Sequence, residues 1–481
     1  VIVCSGREYA GADIGQGQTV HVEFVSANPT GPMHAGHVRN AVLGDTIASL
    51  LTKVGYNVYR EYYINDAGSQ IDCLARSTYL RYLEANGTVL PPDAFSGDVY
   101  PGDYLIPVGQ HMAALFGDKW IGKLEQEWMP TFRTSAVDAM MDMIREDLAS
   151  LGVVMDCYTS EKTLTQAGLI DQAVDVLTKK DDIYTGVLNP PKGKPIDDWE
   201  ERPQTLFRAT KYGDEVDRPL RKSDGSWTYF AGDIAYHLDK YNRGFNTLIN
   251  VLGADHCGYV VRLKAAVSAI TNYGATLDVK LFQIVNFFEN GVPVKMSKRS
   301  GNFITSKEIV SRVGKDATRF MMISRHHSTV IDFDFQKVLE LSHDNPVFYV
   351  QYAHARICSV FRHASSLFPD LTENVIKQIE NVDPFSSALE IAVIRCMAIW
   401  PQVVVQAAIA QEPHRITNYL YALAGEFHSL WNQGKDLTEL RFIDSTSRQS
   451  TLRKLFLLHG IATVLRDGLE LLGIRPVEEM R

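Results

Sequence analysis

Val20, Val22 and Phe24 alternate with His21, Glu23 and Val25, the period-two pattern of a half-buried strand, until Pro29, Gly31 and Pro32 break it. Past the break Leu43, Ile47, Leu50, Leu51 and Val54 recur at helical spacing as far as Gly55, and NVYREYYI at 57–64 reads as strand again. Strand, loop, helix and strand in that order predict a right-handed crossover within a parallel sheet, whose ligands bind where the first strand ends and the helix begins. The pattern resumes with LINVLGADH at 248–256, a buried-strand run ending in a turn, followed by a helix through Leu263, Ala266, Val267 and Ile270. VKLFQIVNFFENGVPVKMSKRSGNF at 279–303 then predicts a strand, a hairpin turn at Asn290-Gly291 and a loop dense in Lys, Ser and Gly. TSKE at 305–308 has the spacing of a capping box that opens the next helix.

Between these blocks the text turns irregular, with LPPDAFSGDVYPGDY and LNPPKGKPIDDWEERPQ around two helical patterns. The fold class predicted is α/β: a Rossmann-like parallel-sheet domain built from 19–84 and 227–304, with a large insertion at 85–226. A junction at 305–340 leads to an all-α domain at 341–481, where Leu, Ile and Val recur at three and four residues. Residues 1–18 read as a linker, and no internal repeat of fixed period is present.

Composition narrows the class. Apolar residues make up 45% of 481, enough for two or three real cores. The net charge of -9 argues against a general polyanion binder, because non-specific affinity for DNA comes from excess Lys and Arg. Cys4, Cys73, Cys157, Cys257, Cys358 and Cys396 are scattered without a CxxC or a close Cys/His grouping, so neither a zinc site nor a disulfide framework is expected and a reducing, cytoplasmic setting fits. No apolar run of membrane-helix length and no signal peptide are read, so no membrane partner is expected. The chain opens on Val1 rather than Met, and residues upstream of it are expected.

His34 and His37 fall on the first turn of the predicted helix, where residues three apart share a face and free backbone N–H groups make an anion the natural guest. Alone, HAGH also fits two surface histidines on a helix cap or a nucleotidylyltransferase, and KMSKR at 295–299 fits a solvated basic loop. In this order, on either side of a long insertion in a parallel α/β core, they resemble the two signatures of class I aminoacyl-tRNA synthetases. Such enzymes activate an amino acid by attack of its carboxylate on the α-phosphate of ATP, so the protein mainly aligns partners and stabilises spreading charge. His34 and His37 would donate to phosphate oxygens, and Gly36 would leave room for the nucleotide. Lys295 and Lys298, with Met296 and Ser297 between them, would close over the leaving pyrophosphate. Mg2+ would arrive with ATP and keep its waters, without a protein cage.

A wider resemblance is carried by VEFVSANPTGPMHAGHVRN, YYINDAGSQI, SDGSWTYFAGDIAYHLDKY, VLGADHCGYVVRLKAA, KMSKRSGNFIT and YVQYAHARI, which together are similar to the bacterial arginyl-tRNA synthetases. The resemblance implies arginine–tRNA ligase chemistry with arginine, ATP and tRNA as partners, acting as a monomer. It implies that Asn28 holds the substrate's α-amino end with Glu23 nearby, and that Tyr229, Asp233 and Glu161 hold its guanidinium, a planar fork that requires carboxylate partners. Gly253, Asp255 and His256 would line the ATP ribose and the amino group, although some members carry glutamine where this chain has His256. Members begin with an additional domain, of which 1–18 would be the linker remnant. The helical domain would bind the anticodon, with Tyr349, Tyr352, Tyr419, Tyr421, Phe427 and Trp431 available for stacking or for the core. Another class I synthetase and a noncatalytic synthetase-like tRNA-binding protein remain the alternatives.

Overall fold

The structure is a computed structural model that describes residues 1–188, 202–294, 303–379 and 382–480. Its first half runs α1 (Ile2–Ser5), β1 (Thr19–Glu23), α2 (Ala35–Lys53), β2 (Asn57–Ile64), α3 (Ser69–Ala85), α4 (Ile106–Phe116), α5 (Glu125–Ser150), β3 (Cys157–Ser160), α6 (Glu161–Gln166), α7 (Leu169–Lys179), β4 (Ile183–Gly186), β5 (Gln204–Phe207) and β6 (Arg218–Pro219). Then follow α8 (Tyr229–Asn242), β7 (Thr247–Gly253), α9 (Cys257–Thr271), β8 (Thr276–Phe282), β9 (Val285–Glu289), β10 (Val292–Pro293), α10 (Ser306–Val313), α11 (Lys315–Met322), β11 (Ile331–Asp334) and α12 (Phe335–Leu339). The last helices are α13 (Pro346–Leu367), α14 (Glu373–Lys377), α15 (Ala388–Ala398), α16 (Trp400–Ala410), α17 (His414–Asp436) and α18 (Arg448–Leu471).

The central sheet has the order β3-β2-β1-β7-β8 with all pairs parallel, the α/β class expected from the crossover pattern. β1 lies in its middle, and α2 packs so closely on it that a Cβ added at Gly44 would stand 2.3 Å from the Phe24 ring. The half-buried character expected of β1 needs correction: His21 and Glu23 are buried as well. Helices cover both faces of a parallel sheet, so the polar face has to be satisfied internally. Lys240 Nζ donates to Glu23 at 2.6 Å, while Glu61 accepts from His21 at 3.0 Å, Arg243 at 2.7 and 3.0 Å, Tyr236 at 2.8 Å and Thr159 at 2.7 Å. Burial pushes the Glu61 carboxyl up, but the bonds from His21, Arg243 and Thr159 outweigh it and hold the group well below the usual carboxylate range.

The expectation of one insertion at 85–226 is also corrected. β3 lies inside that stretch and forms an edge of the central sheet against β2. Among the described residues of that stretch, the helical excursion α4–α5 and, after β3, the small antiparallel sheet β4-β5-β6 with its flanking helices stand apart from the sheet. CYTS is four residues long and only partly buried, too short to print a strand period among loop-rich text. The Asn290-Gly291 turn is present, with φ of +52° and +78° that suit Asn and Gly, and it joins β9 antiparallel to β10. Thr305 caps α10 by accepting the N–H of Glu308 at 3.1 Å.

Residues 2–10, read from sequence as linker, are helical and pack on α18 and α16, with Val3 and Ala10 buried. One stretch, 388–410 across α15 and α16, is long and apolar enough by length and composition to cross a membrane, which corrects the expectation that no such run exists. Glu390 and Arg395 interrupt it in sequence, but Glu390 is buried against Lys454, and the two helices pack on α17, α18 and α2. Arg319 on α11 is wholly buried and joins distant stretches: it donates to Asp45 on α2 at 2.6 Å, to the Leu151 carbonyl at 3.0 Å and to the Leu472 carbonyl at 2.7 Å. Farther along α2, Lys53 donates to Asp467 at 2.7 Å, which also accepts from Trp400 at 2.9 Å.

Candidate functional site

The chain leaves β1 in strained backbone. Val25 and Ser26 have φ of +69° and +40°, a region unfavourable for a β-branched residue and typically costing about 1–3 kcal/mol where it persists. Asn40 on α2 holds it there, accepting from the Val25 N–H at 3.0 Å while donating to the Val251 carbonyl at 3.1 Å. The carboxyl ends of β1 and β7 and the start of α2 are thereby pinned around one crevice.

His34 is the N-cap of α2, and its ring stacks on His37 with centroids 3.7 Å apart. His34 Nδ1 accepts the Gly36 N–H at 3.2 Å, and His37 Nδ1 accepts the His34 N–H at 3.3 Å. The neutral ring that accepts at Nδ1 carries its proton at Nε2, so both imidazoles are set as Nε2–H donors. The expectation of free backbone N–H groups at this turn is corrected, because the imidazoles themselves satisfy two of them. Gly36 likewise leaves room for the His34 ring: an added Cβ would lie 3.2 Å from its Cε1.

The chain that follows the lysine motif comes beside these histidines at Phe303. Lys295, Met296, Ser297 and Lys298 lie outside the described residues, but the flanking chain is placed. Val294 donates to the Phe287 carbonyl at 2.8 Å on one side. On the other, the Phe303 ring is 6.2 Å from that of His34, Thr305 bridges His34, and the Ser306 N–H donates to the Met33 carbonyl at 2.8 Å.

Past the ends of β2 and β3 lies a cluster of acids. Glu161 opens α6 and Asp233 lies one turn into α8, with Gly232 between the helices; a Cβ there would stand 3.6 Å from Glu161 Oε1. Glu161 Oε2 is buried without a hydrogen-bond partner, and Asp233 accepts from the Tyr259 hydroxyl. Burial, reinforced by Asp233 and Asp66, pushes the Glu161 carboxyl up to about 7. Burial likewise pushes Asp233 to about 7, with the Tyr259 bond opposing and Glu23 adding to the rise. Tyr63, buried and stacked on Tyr236 at 4.2 Å, feels the field of Glu161, Asp233, Glu23 and Asp66 together.

Of the other residues singled out in the sequence, Tyr229 is 60% exposed at the first turn of α8, with its hydroxyl toward Gly68. Asn28 donates to Gln70 at 2.8 Å. Glu23 also accepts from Ser26 at 3.0 Å, and with Lys240 its charge is already matched inside the fold. Gly253 ends β7, Asp255 is exposed, and His256 stands 3.8 Å from Asp255 without a hydrogen bond to the carboxylate pair. Sequence reasoning missed Asn40, Tyr63, Asp66 and Tyr259, whose one signal was that they lie within the quoted motifs, and Asp147, which lies outside them and had none. In the helical domain Tyr419 and Phe427 are core, Tyr421 is 40% exposed, and Arg356 stacks over Tyr352 at 4.1 Å and Trp431 at 4.9 Å.

Comparison with known proteins gives the family. The family model for tRNA synthetases class I (R), catalytic domain, matches residues 1–89, and that for the DALR anticodon binding domain matches residues 350–480. Arginine–tRNA ligase of Rhodospirillum rubrum is 53% identical over 488 aligned positions, covering 100% of this chain and 82% of that protein. The arginine–tRNA ligase of Ruegeria pomeroyi is also 53% identical, with the same coverage of each chain. An arginyl-tRNA synthetase structure from Campylobacter jejuni aligns with a TM-score of 0.82 at 30% identity, over 99% of this chain and 97% of that one. The Thermus thermophilus arginyl-tRNA synthetase shares the fold, with a TM-score of 0.72 at 20% identity over 100% and 85% of the two chains. The chain belongs to the arginine–tRNA ligase family of class I aminoacyl-tRNA synthetases.

Proposed function

We propose that the chain joins arginine to tRNA in two steps. The carboxylate of arginine attacks the α-phosphate of ATP, pyrophosphate leaves, and a hydroxyl of the tRNA's terminal adenosine then takes the arginyl group from the adenylate and releases AMP. The observation that carries the choice of arginine is the buried, unpaired carboxylate oxygen of Glu161 beside Asp233. A guanidinium brings a delocalised charge and paired N–H donors, which match two carboxylates better than a point charge does. Tyr229 would close the pocket's mouth, and Asn28, with Glu23 behind it, would face the α-amino end.

The Nε2–H donors of His34 and His37 would meet the phosphate oxygens as negative charge shifts onto pyrophosphate, where fixed donors act most on the transition state. Lys295 and Lys298 would add positive charge at the leaving pyrophosphate, with Met296 and Ser297 between them along the nucleotide; the support is Phe303, a few residues on, beside the His34 ring. Gly253, Asp255 and His256 would border the ribose at the end of β7. Mg2+ would enter with ATP and supply positive charge that helps pyrophosphate leave, with no ligand from the chain required. Residues 341–481 would receive the anticodon, and we expect a monomeric, cytoplasmic enzyme. Charging of tRNA with radiolabelled arginine, run beside arginine binding by calorimetry, tests the reading. Charging dependent on arginine, ATP and tRNA supports it, and charging with a different amino acid overturns it.

A further inference from the structure

Asp66 lies in the turn after β2, half-buried, outside the arginine contacts proposed above. Its carboxylate accepts two hydrogen bonds, from the Ser160 hydroxyl at 2.6 Å and from the Lys162 backbone N–H at 2.9 Å. These donors sit immediately before and after Glu161. Ser160 is held from a second side as well, because its hydroxyl oxygen caps α6 by accepting the Thr163 N–H at 3.1 Å, which directs the hydroxyl hydrogen to Asp66. Glu161 is therefore strung between two anchored neighbours while its own Oε2 has no partner.

Such an arrangement costs stability locally, since an unpaired buried carboxylate beside other acids is unfavourable until a cation arrives. Its use lies in the place it fixes. A carboxylate held in position before the substrate arrives loses less freedom on binding, and a displacement of about 1 Å can cost about a hundredfold in affinity or rate. Asp233 is fixed independently, by the Tyr259 hydroxyl. We infer that Asp66 is a positioning residue for arginine selection, acting through Glu161: it holds both flanking residues so that the guanidinium meets a preformed pair of carboxylates. This rests on the assignment of Glu161 and Asp233 as the guanidinium partners.

The test compares Asp66→Ala, Asp66→Asn, Glu161→Gln and the double variant Asp66→Ala/Glu161→Gln by arginine calorimetry and tRNA charging. Asp66→Ala is expected to raise Kd and KM for arginine about 10- to 100-fold while KM for ATP stays within about twofold. Asp66→Asn keeps one acceptor and should fall between wild type and Asp66→Ala. Because the effect passes through Glu161, the double variant should bind arginine no more weakly than Glu161→Gln alone. An unchanged arginine KM in Asp66→Ala, or losses in the double variant that multiply those of the single ones, overturns the inference. Where the alanine form does not melt cooperatively, Asp66→Asn carries the same test, and an unchanged arginine KM in it overturns the inference. Glu161→Gln without effect on arginine affinity would instead remove the guanidinium assignment itself.

Discussion

Asp147 Oδ2 accepts the backbone N–H of Met33 at 3.1 Å, one residue before His34. The carboxylate comes from α5, outside the sheet, while the carbonyl of the same Met33 is taken by Ser306 just after the lysine loop. The peptide leading into the stacked histidines is thus held from two sides. Asp147→Ala should lower the rate of adenylate formation about tenfold, through misplacement of His34, and leave arginine affinity within about twofold. Asp147→Asn keeps an acceptor and should stay close to wild type. Pyrophosphate exchange with each variant reads the difference.

His37→Ala removes the Nε2–H donor that we assign to the phosphates, and with it the acceptor of the His34 N–H. Loss of one such donor typically costs about a hundredfold in rate, so adenylate formation should slow by at least that factor with little change in arginine Kd. Single-turnover measurements separate the steps, and a normal chemical step with a raised arginine requirement would contradict the assignment.

Asp233→Asn should collapse arginine use and narrow the gap between arginine and citrulline, while direct ATP binding stays nearly intact. Sites that hydrogen-bond their substrate discriminate roughly ten-thousandfold against an analogue that leaves those groups unpaired. Charging assays with both amino acids, wild type against variant, give the ratio. Retention of the wild-type preference would show that Asp233 does not read the guanidinium.

Glu161 and Asp233 each hold a proton up to about 7 in the arginine-free fold, burial being the main cause. A bound guanidinium requires them ionised, so arginine Kd should rise as pH falls below about 7, by up to about tenfold per pH unit for each proton that must leave. Stability without arginine runs the other way. Both groups bind protons more tightly folded than unfolded, so their contribution is greatest at low pH and is lost as pH rises from the usual carboxylate range through about 7. Melting temperatures of wild type and Glu161→Gln, measured between about pH 5 and pH 8 with and without arginine, test both signs. A gap between the two proteins that does not change with pH would contradict the pair's role.

The crossover of β1, α2 and β2, the end of β7 and the Asn290-Gly291 turn were legible because each has a local signal: a period, a capping residue or a residue suited to positive φ. β3 was not, because four partly buried residues inside irregular text have no period to read. The burial of His21 and Glu23 was also hidden, since alternation reports side-chain polarity and cannot tell water from a matching Lys240 or Glu61 across the fold. The site divides in the same way. His34 and His37 announce themselves through motif and spacing, whereas Asp147, Asp66 and Tyr259 act through partners tens to more than a hundred positions away in the chain, a relation only the folded structure contains.

Arg319 has a consequence for the order in which the molecule is made. Its three partners, Asp45, Leu151 and Leu472, are contributed by widely separated stretches of chain, and the last is synthesised only at the far end of α18. On a ribosome that has not yet released α18, the guanidinium lacks one acceptor, and α11 cannot close over α2 without burying a charge that is incompletely bonded. The contact of α11 with α2 therefore gains its full set of hydrogen bonds only once the final helix has been made.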